Sequence, residues 1–118
     1  MATKESQISY QAHTSSECLD RVIARFGDRL TELTAIDKLD LLAILSLWQS
    51  ADTSRMEANS EPISLGEYLD ISPGLQVATS QNLDEALRLL WLADCSEGDA
   101  MTLMVAIACQ LRDGVYVS

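Results

Sequence analysis

Apolar residues recur at steps of three and four through most of the chain, a period that predicts helices and leaves no room for a sheet. Leu19, Val22, Ile23, Phe26, Leu30 and Leu33 form the first stripe. It predicts an amphipathic helix over Ser15 to Glu32, which Gly27 weakens by about 1 kcal/mol relative to alanine. Thr14-Ser15-Ser16-Glu17 ahead of it has the form of a capping box. Thr34 is placed to cap a second helix, with Asp37 in the first turn, where the helix dipole favours an acid. Leu39, Leu41, Leu42, Ala43, Ile44, Leu45, Leu47 and Trp48 then leave that helix almost no polar face.

Residues 50–62 are polar and read as one long loop. Ser64-Leu65-Gly66-Glu67 is a second capping box, opening a short helix through Tyr68 and Leu69, and Pro73-Gly74 marks a turn. Asn82 is the expected cap of the next helix, whose stripe runs from Leu83 through Leu87, Leu90 and Trp91. After Ser96-Glu97-Gly98-Asp99, a last helix carries Met101, Leu103, Met104, Val105, Ile107, Ala108 and Leu111. Gly114 stands where a left-handed cap would close it. Residues 1–13 lack periodicity and read as a flexible arm. The expectation is an all-α fold: a single domain over residues 14–118, a compact bundle of four main helices plus one short helix.

Charge changes the picture. Eight Lys and Arg stand against 18 Asp and Glu, a net charge of −10 that opposes binding to nucleic acid or anionic lipid. No apolar run approaches the roughly 20 residues of a transmembrane helix, and the polar N-terminus has no signal-like core, so a cytoplasmic location is the default expectation. Cys18, Cys95 and Cys109 are widely spaced, with no CxxC and no Cys/His cluster; each is expected to be a free, buried, hydrophobe-like thiol.

Candidate chemistry is sparse. His13, the one histidine, lies in the arm, where no nucleophile or base partner is held in place. Asp94, Glu97 and Asp99 cluster around Gly98 but fail the calcium-loop spacing, and Asp37 with Asp40 has no histidine to complete a metal site. Both groups read as cap and surface acids. No catalytic residue, metal or cofactor is expected, and the chain is read as a non-enzyme. Arg21, Arg25 and Arg29, four apart, line one side of the first helix. They can pair locally with Glu17, Asp28 and Glu32, or form a docking stripe for an acidic partner helix. The second and last helices have more apolar surface than a domain of this size can enclose.

Ile23-Ala24-Arg25-Phe26, followed by Leu33-Thr34-Ala35-Ile36-Asp37-Lys38-Leu39-Asp40-Leu41-Leu42, resembles a segment of the N-terminal helical domain of the cyanobacterial orange carotenoid protein and its stand-alone helical relatives. The ending Leu111-Arg112-Asp113-Gly114-Val115 is similar to that family's final helix and turn. The resemblance implies a helical scaffold and a binding role. That family holds its pigment between aromatic side chains, whereas this chain has Ala43, Ser46, Met104, Val105 and Gln110 in the same register. It therefore implies the scaffold without the pigment. The expected function is a protein-interaction or assembly module that buries an apolar helix face against a protein partner or a second copy. Leu41, Leu45, Trp48 and Trp91 are its candidate anchors, with Arg21, Arg25 and Arg29 giving orientation. The alternative is an apolar-ligand carrier.

Overall fold

Ser16 begins the first long helix: its hydroxyl accepts from the Leu19 N–H at 3.3 Å, and α2 then runs Glu17–Phe26. A computed structural model describes residues 2–12, 16–71 and 80–116. Around α2 stand α1 (Ile8–Gln11), α3 (Ala35–Glu57), α4 (Leu65–Ile71), α5 (Gln81–Leu92) and α6 (Glu97–Arg112), with a 3₁₀ turn at Lys4–Ser6. The fold is all-α, with no strand among the described residues. Of the two ends of the first capping box, Thr14 lies outside the described residues, as do His13 and the Pro73-Gly74 turn.

Each helix from α2 to α6 has its own start signal. Thr34 and Asp37 form a complete capping box on α3, the hydroxyl taking the Asp37 N–H at 3.0 Å and the carboxylate taking the Thr34 N–H at 3.2 Å. Ser64 and Glu67 repeat this arrangement on α4. Ser80 caps α5, two residues earlier than Asn82, and Ser96 caps α6. Gly114, at φ 74°, closes α6 in the left-handed conformation, and Val115 N–H returns to Gln110 O at 2.8 Å.

Several further sequence expectations are corrected. The first helix ends at Phe26, because Gly27 adopts φ 89° and terminates it; Leu30 and Leu33 reach the core from the turns that follow. The expected loop at 50–62 is helical to Glu57: Asp52 faces inward, accepting the Ile63 N–H at 2.8 Å, so the polar stretch is the solvated side of a longer helix. The N-terminal arm is docked over residues 4–11, with Ile8 wholly buried, Asp28 O taking the Ile8 N–H and the Asp28 carboxylate taking Ser9. Finally, Cys18 and Cys95 are not free thiols. They form a disulfide with Cα atoms 5.5 Å apart, tying the first turn of α2 to the start of α6, while Cys109 remains free.

The core gathers Phe26, Leu41, Ile44, Leu45 and Trp48 with Leu83, Leu90, Leu103 and Ile107. Two buried polar side chains join its layers. Lys38 is fully enclosed and its ammonium donates to Arg29 O at 3.0 Å and to Val115 O. Asp37, expected at the surface with Asp40, is also buried and accepts the Ser80 hydroxyl at 2.8 Å, fastening α5 to α3.

Candidate interaction face

The expected anchors separate by helical phase. Leu41, Leu45 and Trp48 occupy the inward side of α3 at 2, 1 and 4% exposure, and the Trp48 indole N–H donates to Ile63 O at 2.8 Å. They hold the domain together and have no surface to offer a partner. The expectation that they anchor an interface is therefore replaced by their neighbours on the opposite side of the same helix. Trp91 is 47% exposed; one side of its indole lies against Gly66, where an added Cβ would fall inside the ring.

The arginine stripe also divides. Arg21 pairs with Glu17 at 2.7 Å as the spacing suggests. Arg25 turns from Asp28 to Glu32, at 2.9 Å, and to Glu85 on α5, and its guanidinium lies 4.6 Å from the centre of the Phe26 ring. Arg29 lies beyond the helix end and bonds Ser6 Oγ at 2.8 Å and Thr3 O at 3.3 Å, clamping the N-terminal segment. Arg21 and Arg25 line a shallow groove of about 580 Å³ between α2 and α5, with Arg88, Leu89 and Leu92. Every arginine there has an acid beside it, Arg88 having Asp84 at 3.5 Å. Because exposed pairs of this kind contribute little net energy, the groove has no unspent charge with which to select a partner.

Apolar surface is exposed there, at Leu92, and also along α3 and α6. On α3, Ile36, Leu39 and Leu47 are 66, 56 and 45% exposed, and on α6, Met101 and Val105 are 49 and 41% exposed. α3 and α6 pack against each other more extensively than any other pair of elements. Gln49 reaches across between them, its amide 3.5 Å from both Glu97 O and Met104 Sδ. The facing flanks of the two helices therefore carry Gln49 and Met104; at 100° per residue Ser46 and Leu39 lie about 60–80° round α3 from Gln49, and Ile36 and Leu47 about 140–160°. The outward face beside the seam is thus built from Leu39, Ala43 and Ser46 with Met101, Val105 and Ala108, and Leu47 lies on its far flank. From Leu39 to Ser50 and from Met101 to Ala108, its exposed positions are Leu39, Ala43, Ser46, Leu47 and Ser50 with Met101, Val105 and Ala108, none of them charged, while the partly buried Asp40 borders it beside Ile36 and Leu47. Twelve residues of α3 span about 18 Å and eight of α6 about 12 Å, each about 10 Å wide. The patch is therefore roughly 300 Å², at the lower edge of the range of large patches on small proteins.

The ends of this face are charged. Glu97 opens α6, and burial first, then the nearby Asp52 carboxylate, raises its carboxyl above the usual range. Arg112 closes the helix, 3.0 Å from Asp113. Glu97 forms no ion pair among the described residues. The sequence carried the signal for this face, namely two helices without a polar side. Composition alone could not say which leucines turn inward, because the phase of a helix that is apolar all round is chosen by packing.

Among the described residues no helix is long and apolar enough to cross a membrane. No protein-family model matches the chain, and neither the curated proteins nor the solved structures contain a match.

Proposed function

We propose that this chain is a non-enzymatic assembly module that pairs with a second copy of itself through the α3–α6 face. The uncharged apolar face on a chain of net charge −10 is the observation that carries the reading. A two-fold interface brings a patch against itself, so any acid on it would meet its own image. This face is one whose self-pairing sets no like charges together. An antiparallel pairing of α6 with its copy, centred between Met104 and Val105, sets Met101 of one chain against Ala108 of the other. The same register sets Glu97 against Arg112 at both ends, giving the uncompensated carboxylate a cation. With its polar rim included, such a contact buries roughly 600–800 Å² in total, the size of a weak, concentration-dependent pairing.

Analytical ultracentrifugation tests this. The wild-type chain is expected to sediment as a dimer, and Val105→Glu, at an exposed position, as a folded monomer by circular dichroism. Glu97→Arg and Arg112→Glu should each weaken the dimer, and the two together should restore it. A wild-type monomer at high concentration would overturn the proposal. An apolar-ligand carrier, the reading implied by the family resemblance, would instead give a monomer that takes up a hydrophobic dye on this face.

A further inference from the structure

The N-termini of α2 and α6 converge on one small group of side chains. Cys18 lies in the first turn of α2, Cys95 immediately precedes the Ser96 cap of α6, and Asp99 is the third residue of α6. Their ligand atoms all lie within 4.8 Å of one another. The Asp99 carboxylate is held in place from the neighbouring helix, its Oδ2 accepting the Ser16 hydroxyl at 2.8 Å, and its own N–H donates to Ser96 Oγ at 3.1 Å. Hydrogen-bonded orientation of this kind is typical of the groups that support a metal ligand. Two helix N-termini aimed at the same point also favour thiolate over thiol, locally opposing the negative charge of the chain.

We propose that, once the disulfide is reduced, Cys18, Cys95 and Asp99 form a three-ligand site for a thiophilic divalent cation of the zinc class. Two sulfurs bound to one tetrahedral zinc at 2.3 Å stand about 3.7 Å apart, a separation that neighbouring thiolates reach with side-chain rotation alone. The carboxylate supplies the third ligand. Asp99 is the least buried of the three, so solvent would reach a fourth position from its side. Crosslink and metal are mutually exclusive states of the same sulfurs. The disulfide takes two electrons and two protons from an external dithiol, which itself becomes a disulfide. Each resulting thiol then releases its proton to solvent as its metal–sulfur bond forms. The site is independent of the α3–α6 face, so the failure of one proposal leaves the other intact.

The test uses the full chain reduced with a phosphine, which becomes its oxide, followed by titration with Co²⁺. One Co²⁺ per chain is expected, with intense thiolate-to-cobalt charge-transfer absorption that is absent before reduction. Cys18→Ser and Cys95→Ser should abolish the band, Cys109→Ser should leave it, and Asp99→Asn should weaken binding at least tenfold. Alkylation mapped by mass spectrometry avoids any variant: Zn²⁺ should protect Cys18 and Cys95 of the reduced wild type but not Cys109. A folded, reduced protein without the band, or alkylation of Cys18 and Cys95 at the same rate with and without Zn²⁺, would overturn the proposal.

Discussion

Lys38 is a fully buried cation bonded only to carbonyl oxygens, Arg29 O and Val115 O. Burial pulls its ammonium down from the usual 10.5 to about 8. Between those two values the unfolded chain binds a proton that the folded chain has released. Stability from this group therefore rises with pH through that window and is flat on either side. The gain across the whole window is about 3 kcal/mol. Lys38→Met should remove this rise while lowering stability at neutral pH, since two carbonyls lose their donor. Urea unfolding of both proteins at about pH 7.5 and about pH 10 checks it, and parallel slopes would refute it. Gly66 makes a different point at the same scale. Because a Cβ there would enter the Trp91 ring, Gly66→Ala must displace the indole or shift α4. The expected outcome is a red-shifted Trp91 emission and a loss of about 1–3 kcal/mol, the usual range for overpacking.

At the scale of elements, caps decide where helices begin. Thr34 takes part in both halves of the α3 capping box, and Asp37 in that box also accepts the Ser80 hydroxyl that starts α5. Thr34→Ala should cost about 1 kcal/mol, read as a lower urea midpoint, because the Asp37 N–H loses its hydroxyl acceptor while the backbone N–H at position 34 still reaches the Asp37 carboxylate. Most of these starts were legible in the sequence: Thr34 and Ser64 stand where caps were expected, α6 begins at the expected Ser96-Glu97-Gly98-Asp99 restart, and Gly114 stands where a left-handed close was expected. What was not legible depended on contacts distant in the chain. Gly27 costs little by propensity, yet it ends α2 because Leu30 and Leu33 must turn back to the core. Residues 3–11 have too few apolar side chains for a period, and they fold because Asp113 and Asp28 accept from Thr3 and Ser9 while the Gln110 amide donates to Ser6 O. The Cys18–Cys95 pairing spans 77 residues with no local motif, and only the meeting of two helix starts reveals it. The apolar surplus on α3 and α6 was readable, whereas the division of leucines between Leu41 and Leu45 inside and Leu39 and Leu47 outside was not.

At the scale of the whole molecule, the net charge sets a sign for the proposed assembly. Two copies of charge −10 repel as they approach, and the uncharged α3–α6 face offers no long-range attraction to offset that repulsion. Added salt shortens the screening length from about 30 Å at 0.01 M to about 8 Å at 0.15 M. It therefore weakens the repulsion between the two bodies while barely touching apolar contact at the interface. The Glu97 and Arg112 end pairs lose some strength in salt, but they are two contacts against a field from the entire surface. The dimer is expected to tighten as ionic strength rises, and to tighten further as pH falls toward the sequence pI near 4.2. An arginine-led contact with an acidic partner helix behaves in the opposite way, since screening removes the attraction that forms it. Sedimentation equilibrium across that salt range thus reads out which surface is in use. A dissociation constant that falls with salt, and that Val105→Glu raises at every salt concentration, locates the association on α3 and α6. One that rises with salt and responds to Arg21→Glu instead would place it on α2.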